Sequence, residues 1–96
     1  MATYIVLMNY TEKGIQAMKD VPKRLEKVRE ILGQAGVRLT SFHLTMGHYD
    51  GVTVVDAADD TSLARALLTI AALGNVRTET LRAFDETEAA AIVSTL

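Results

Sequence analysis

An α+β domain built on one antiparallel sheet is predicted by three features of the sequence. Residues 3–9 form a strand-length run that is apolar on both of its alternating faces. Two amphipathic helical stripes follow at intervals that alternate with strand-like segments. Between the stripes, two β-branched segments meet across a glycine-containing turn. The resulting order is strand, helix, strand, strand, helix, strand. At 96 residues there is room for one core, so residues 1–96 are read as a single domain.

In the first strand, residues 3–9, Ile5 and Leu7 share one face and Tyr4, Val6 and Met8 the other. Thr11 is placed as an N-cap with Glu12 in the first turn. The helix beyond it carries Ile15, Met18, Val21, Leu25, Val28, Leu32 and Ala35 on one stripe. Pro22 falls inside that stripe without breaking its phase, which fits a kink or a brief break recapped by Asp20. Gly33 and Gly36 mark its end.

Residues 37–46 read as a second strand, in which the polar side chains Arg38, Thr40, Ser41, His43 and Thr45 point to a sheet edge. Gly47 and His48 make a tight connection, and residues 50–56 return as the third strand, with Val52 and Val54 on one side and Thr53 and Val55 on the other. Asp59 or Asp60 caps a second helix that buries Leu63, Ala66, Leu67, Ile70 and Leu73 and closes at Gly74. Its back is Ala64, Leu68, Ala71 and Ala72. Residues 75–84 are the last strand. Asp85 and Glu88 then begin a short Ala-rich helix in the manner of a capping box.

Split β-α-β units in this order form a four-stranded antiparallel sheet with both helices on one face, the ferredoxin-like βαββαβ arrangement, with the first and third strands central. The apolar segments are the first and third and the polar ones the second and fourth, as that placement requires. Two helices cover one face only. Tyr4, Val6 and Met8, or their alternates, then form an apolar patch on the other, and a second copy of the chain is expected to cover it. A homo-oligomer, at least a dimer, is therefore the expected state.

Composition narrows the function. Ten Lys and Arg against twelve Asp and Glu give a net charge of −2, which offers neither a counterion-release drive towards nucleic acid nor a polybasic membrane patch. The absence of cysteine removes disulfide frameworks, thiolate metal sites and cysteine nucleophiles, and makes the cytoplasm the default compartment. The N-terminal apolar run stops at Asn9, short of a secretory or membrane segment, so residue 1 is read as the natural start. An RNA-recognition module shares the element order but stacks bases on aromatic residues of its central strands. The third strand here is Gly-Val-Thr-Val-Val. Neither a phosphate loop nor a dinucleotide fingerprint nor a nucleophile elbow occurs.

The run Thr45-Met46-Gly47-His48-Tyr49-Asp50, then Gly74-Asn75-Val76-Arg77-Thr78 and Thr80-Leu81-Arg82-Ala83-Phe84, resembles the GYD family of small bacterial proteins. So does the opening Asn9-Tyr10-Thr11 with Gly14. Gly47, Tyr49 and Asp50 match the naming motif and His48 occupies its variable position. The resemblance implies a ferredoxin-like fold, of the kind whose sheets pack into α/β barrels between subunits. It brings no substrate, cofactor or catalytic residue with it. Gly51 stands where a bulky apolar residue is expected, which predicts looser packing at the start of the third strand.

The topology gathers Asn9, Tyr10, His48, Tyr49, Asp50, Asn75 and Arg77 at one sheet end, beside the start of the first helix. One reading is a pocket in which Arg77 or the helix amides hold an anionic group while Tyr49, His48 or Asp50 handles a proton. The other is structural: Gly47 supplies a left-handed turn residue, Tyr49 packs over the sheet, and Asp50 is tied to Arg77 or to backbone amides. The candidate ligand-binding residues are thus Tyr10, His43, His48, Tyr49, Asp50 and Arg77. His43 enters because strand parity permits Ser41, His43 and Thr45 to line the second sheet face, where an imidazole enclosed between subunits can act as a base. No metal site is expected from two histidines five apart across a turn, and no cofactor is expected. Thr78, Thr80 and Arg82 fit either a polar lining or a solvated edge. The basic run Lys19, Lys23, Arg24, Lys27 and Arg29, interrupted by Glu26 and Glu30, reads as a solvated, ion-paired helix face.

Two functions follow. One is a non-enzymatic oligomer, a small-molecule-binding or structural module. The other is a cofactor-independent enzyme, of oxygenase or isomerase type, working in a pocket between subunits.

Overall fold

The computed structural model describes residues 1–96. Strand β1 (Ala2–Tyr10) leads through a short helix α1 (Glu12–Gln16) and a 3-10 turn (Met18–Asp20) into α2 (Val21–Gln34). Then come β2 (Arg38–Leu44), β3 (Gly51–Ala57), α3 (Asp60–Ala71), β4 (Val76–Ala83) and α4 (Glu86–Val93). The sheet is antiparallel with order β2-β3-β1-β4, so the two apolar strands are central and the polar ones form the edges. This is the ferredoxin-like arrangement. Within one chain the sheet is open, with β2 and β4 as free edges, and no barrel closes. None of the helices is long and apolar enough to cross a membrane.

Register settles which face of β1 is covered. Tyr4, Val6 and Met8 are buried with Val55 and Ala57 of β3 against Ile31, Leu32, Leu63, Ala66 and Ile70 of the helices. Ile5 and Leu7 therefore face away, opposite Val54 and Val52 on one side and Leu81 and Glu79 on the other. The exposed patch is thus the Ile5–Leu7 face, not that of Tyr4, Val6 and Met8. Leu63 is 2 % exposed, and its truncation to Ala costs about 2–5 kcal/mol by the usual cavity penalty.

The first helical stripe does not run through. Helix α1 ends at Gln16, the chain tightens into the 3-10 turn, and α2 restarts with Pro22 in its first turn, where the missing N–H costs nothing. Asp20 occupies the N-cap position, but its side chain makes no capping bond. Ile15 and Met18 lie on the far side of the break and are exposed. The other caps form as expected. Thr11 accepts from the Gly14 amide at 3.2 Å and Asp59 from the Ser62 amide at 2.8 Å. Asp85 and Glu88 close a reciprocal capping box.

In β2 the register shifts between Leu39 and Ser41, leaving Thr40 without a paired residue on β3. That extra residue changes parity, so Leu39 and Phe42 both face the helices while Ser41 and His43 face the open side, opposite Val54 and Val52.

Candidate functional site

The connection between β2 and β3 is longer than a two-residue turn and is tied together internally. Thr45 donates its amide to the Asp50 carbonyl at 2.9 Å and its hydroxyl to the Tyr49 carbonyl at 2.6 Å. Gly47 takes a φ of +116°, a backbone conformation that L side chains rarely adopt. Asp50 then docks the connection onto β1. Its amide donates to the Met8 carbonyl at 2.9 Å, and its carboxylate accepts the Tyr10 amide at 2.9 Å. Asp50 is thus tied to a backbone amide rather than to Arg77, which forms no ion pair with it. Gly51 does not loosen the strand. It is buried, and a Cβ there would meet the Met8 side chain at 3.1 Å.

Arg77 lies on the open-face side, opposite Asn9. With Leu7, Asn9, Tyr49, Thr78 and Glu79 it lines a shallow depression of about 110 Å³. Tyr49 spans the end of β1, donating its hydroxyl to the Glu79 carboxylate on β4 at 2.6 Å. That bond holds its phenol above the ordinary tyrosine range, since ionisation would break it. The His48 ring stands edge-on to Tyr49 with centroids 5.5 Å apart. His43, exposed on β2, is separated from Arg77 by the whole width of β3 and β1. The six residues thus fall into three places: Tyr49 and Arg77 on the open face with His48 beside Tyr49, Tyr10 and Asp50 at the end of β1, and His43 on the same open face but at the far edge strand.

The helix side of the same sheet end holds a residue absent from the sequence-derived set. Arg24 turns inward from α2, with its guanidinium 5.5 Å from the centre of the Tyr10 ring and Nη2 donating to the Gly14 carbonyl at 3.2 Å. Nη1 is buried and has no hydrogen-bond partner. The basic run is therefore not uniformly solvated. Lys27 pairs with Glu30 at 3.9 Å in solvent, whereas Arg24 belongs to the inner face. Its spacing carried the signal: positions 21, 24, 25, 28, 31 and 32 recur at helical intervals on the stripe that packs on the sheet. Burial raises the Tyr10 phenol pKa, against the pull of the Arg24 cation. Beside this pair a cavity of about 120 Å³ opens between helices and sheet, walled mainly by apolar side chains such as Val6, Met8, Val28, Phe42 and Leu67.

Residues 4–93 match the GYD domain family. The chain is 39% identical over 84 residues to a protein of Thermus thermophilus named "glutamine synthetase and cystathionine beta-lyase binding protein", an alignment spanning 86% of this chain and 88% of the relative. The crystal structure of a Thermus thermophilus protein superposes with a TM-score of 0.57 at 26% identity, over 88% of this chain and 95% of that one. The feast or famine regulatory protein of M. tuberculosis, complexed with L-methionine, superposes at 0.66 with 22% identity, over 88% of this chain and 51% of the regulator. At that identity the likeness is one of fold.

Proposed function

Since the chain belongs to the GYD domain family, we propose that it is a non-catalytic binding module that assembles with further copies of itself through the open sheet face and docks on a larger enzyme. One observation carries this reading. Ile5, Leu7, Val52, Val54 and Leu81 form one contiguous apolar stripe on the face without helices, rimmed by the Arg38–Asp56 pair, Glu79 and Arg77. An apolar centre inside a charged rim is the anatomy of a protein interface. Helix α4 supports it, since none of its residues is buried and Ile92 and Val93 stand in solvent. The Thermus relative is named for binding two enzymes, which makes glutamine synthetase and cystathionine β-lyase the first partners to try.

Light scattering on the purified chain at low micromolar concentration tests the assembly. We expect a dimer or larger, and Leu7→Glu should yield a folded monomer, because a charge would be trapped in the interface. A monomeric wild type removes the proposal. Binding of the two purified enzymes to wild type and to Leu7→Glu tests the docking.

A cofactor-independent enzyme of oxygenase or isomerase type is the second reading, and one observation favours it. His43 sits on the open face opposite Val52, so a covering subunit would enclose an imidazole within an apolar lining. Organic material that co-purifies with the wild type and is lost in His43→Ala, with assembly intact, supports that reading. Its absence from both supports the binding module. The cytoplasm is the compartment proposed for either.

A further inference from the structure

A guanidinium stays charged at any physiological pH and carries five N–H donors, so burying one without acceptors is among the costlier things a small domain can do. Arg24 meets part of that cost: the residue is half-buried, and its Nη1 is fully enclosed. Gly14 takes one donor, the Tyr10 ring offers its face, and Nη1 has nothing. No carboxylate balances the charge, for the ion pairs of the chain are Lys27 with Glu30 and Arg38 with Asp56. The same side chain lines the cavity of about 120 Å³ between the helices and the sheet, whose other polar lining residues are Lys27, Thr53, Asn75 and Thr78. Asn75 and Gly14 are held against each other: the Thr11 amide donates to the Asn75 carbonyl at 3.0 Å, and a Cβ on Gly14 would come within 2.2 Å of that oxygen. One end of the cavity is thus cationic, and the rest is mainly apolar.

We propose that this cavity binds a small monocarboxylate with a compact apolar body, its carboxylate on the Arg24 guanidinium and its body among Val6, Met8, Val28, Phe42 and Leu67. The size follows from the volume. A cavity of about 150 Å³ lined by apolar residues takes up benzene, so about 120 Å³ suits a body of roughly four to six carbons. The head group follows from the charge and the fork. A carboxylate presents two coplanar acceptors to an arginine and brings one negative charge for one positive. Lys27 also lines the cavity, but it is exposed and its charge is already shared with Glu30 at 3.9 Å, which leaves one uncompensated positive charge, that of Arg24, for a ligand. The site lies on the opposite side of the sheet from the face assigned to assembly, so the two readings stand or fall separately.

Methyl-resolved NMR titration of the full chain with benzoate and 4-methylpentanoate, and with benzamide as the neutral isostere, tests the proposal. Both carboxylates should give saturable shifts at Val6, Val28 and Leu67 and raise Tm, with benzamide at least about tenfold weaker, the worth of one charge-assisted hydrogen bond. Arg24→Met should abolish the preference for benzoate over benzamide. Val28→Phe, which fills the space, should remove binding of both while the chain stays folded. Three results would overturn the proposal: no saturable shift in the wild type, equal affinity for benzoate and benzamide, or full benzoate binding by Val28→Phe. Should Arg24→Met fail to fold, the isostere comparison and Val28→Phe still decide.

Discussion

Asp50 grips the end of β1 with both its backbone and its side chain, its amide donating to the Met8 carbonyl and its carboxylate accepting the Tyr10 amide, each at 2.9 Å. The pair of bonds extends the β1–β3 ladder one step beyond Gly51 and fixes the connection from which Tyr49 reaches Glu79. Removing the acceptor strands a partly buried N–H. Asp50→Ala is therefore expected to lower stability by about 1–3 kcal/mol, with Asp50→Asn, which keeps an oxygen but not the charge, losing less. In a domain of this size each kcal/mol moves Tm by roughly 4–8 °C, so thermal melts of the three proteins resolve the order. Equal melting temperatures would show that the bond contributes nothing.

Gly14 is the tightest backbone contact between the start of α1 and the segment before β4. A Cβ there would lie 2.2 Å from the Asn75 carbonyl oxygen and 3.3 Å from the Tyr10 ring. The Asn75 carbonyl is backbone and cannot step aside as a flexible side chain would. Gly14→Ala should cost about 1–3 kcal/mol from overpacking, despite the better helix propensity of alanine. Chemical denaturation measures it, and a neutral or stabilising result would mean that the α1 segment moves freely relative to Asn75.

The sequence carried the element order and most of the caps because these are local. Thr11, Asp59 and the Asp85–Glu88 box need only their own next three residues to act. The two faces of β1 were also legible, but alternation is symmetric. Which of Tyr4-Val6-Met8 and Ile5-Leu7 goes under the helices is decided by where α2 and α3 dock. The Thr40 irregularity is equally non-local, since nothing in Arg-Leu-Thr-Ser announces that one residue will drop out of the ladder. The neighbourhood of the candidate residues was legible, because topology alone brings those segments to one sheet end. Its division between two faces was not, as that depends on side chains crossing the end of β1. Arg24 was hidden by its company: a charged residue among four other basic ones reads as surface, although its spacing places it on the inner stripe.

Helix α4 contributes no buried residue to the domain. Ending the chain at Asp85 is expected to change the stability of a dissociated chain by no more than about 0.5 kcal/mol, the range typical of exposed substitutions. Urea unfolding of a Leu7→Glu background, with and without residues 86–96, measures this free of any assembly. A loss of several times that size would show that α4 docks on its own domain.

Alkaline pH offers a test of how the sheet holds its tyrosines. All three phenols lie above the ordinary value of 10.0: Tyr4 chiefly through its hydrogen bond to Asp60, Tyr10 through burial, and Tyr49 chiefly through its hydrogen bond to Glu79. A group whose folded pKa is raised favours the folded state while both states are protonated, below about 10, and loses that contribution as pH climbs through the folded value. Stability should therefore be insensitive to these groups at neutral pH and fall above about 10, where the unfolded chain ionises first. Tyr49→Phe removes one of the three couplings and should make the fall shallower, and Tyr10→Phe should do the same by removing the phenol whose shift comes from burial. Phenolate absorbance titrations of the folded chain, set beside denaturant melts on either side of about pH 10, check both halves of the argument. A phenolate midpoint at or below the ordinary value for Tyr49 would mean that its bond to Glu79 does not persist in solution, and with it would go the crossing that fixes the connection over the end of β1.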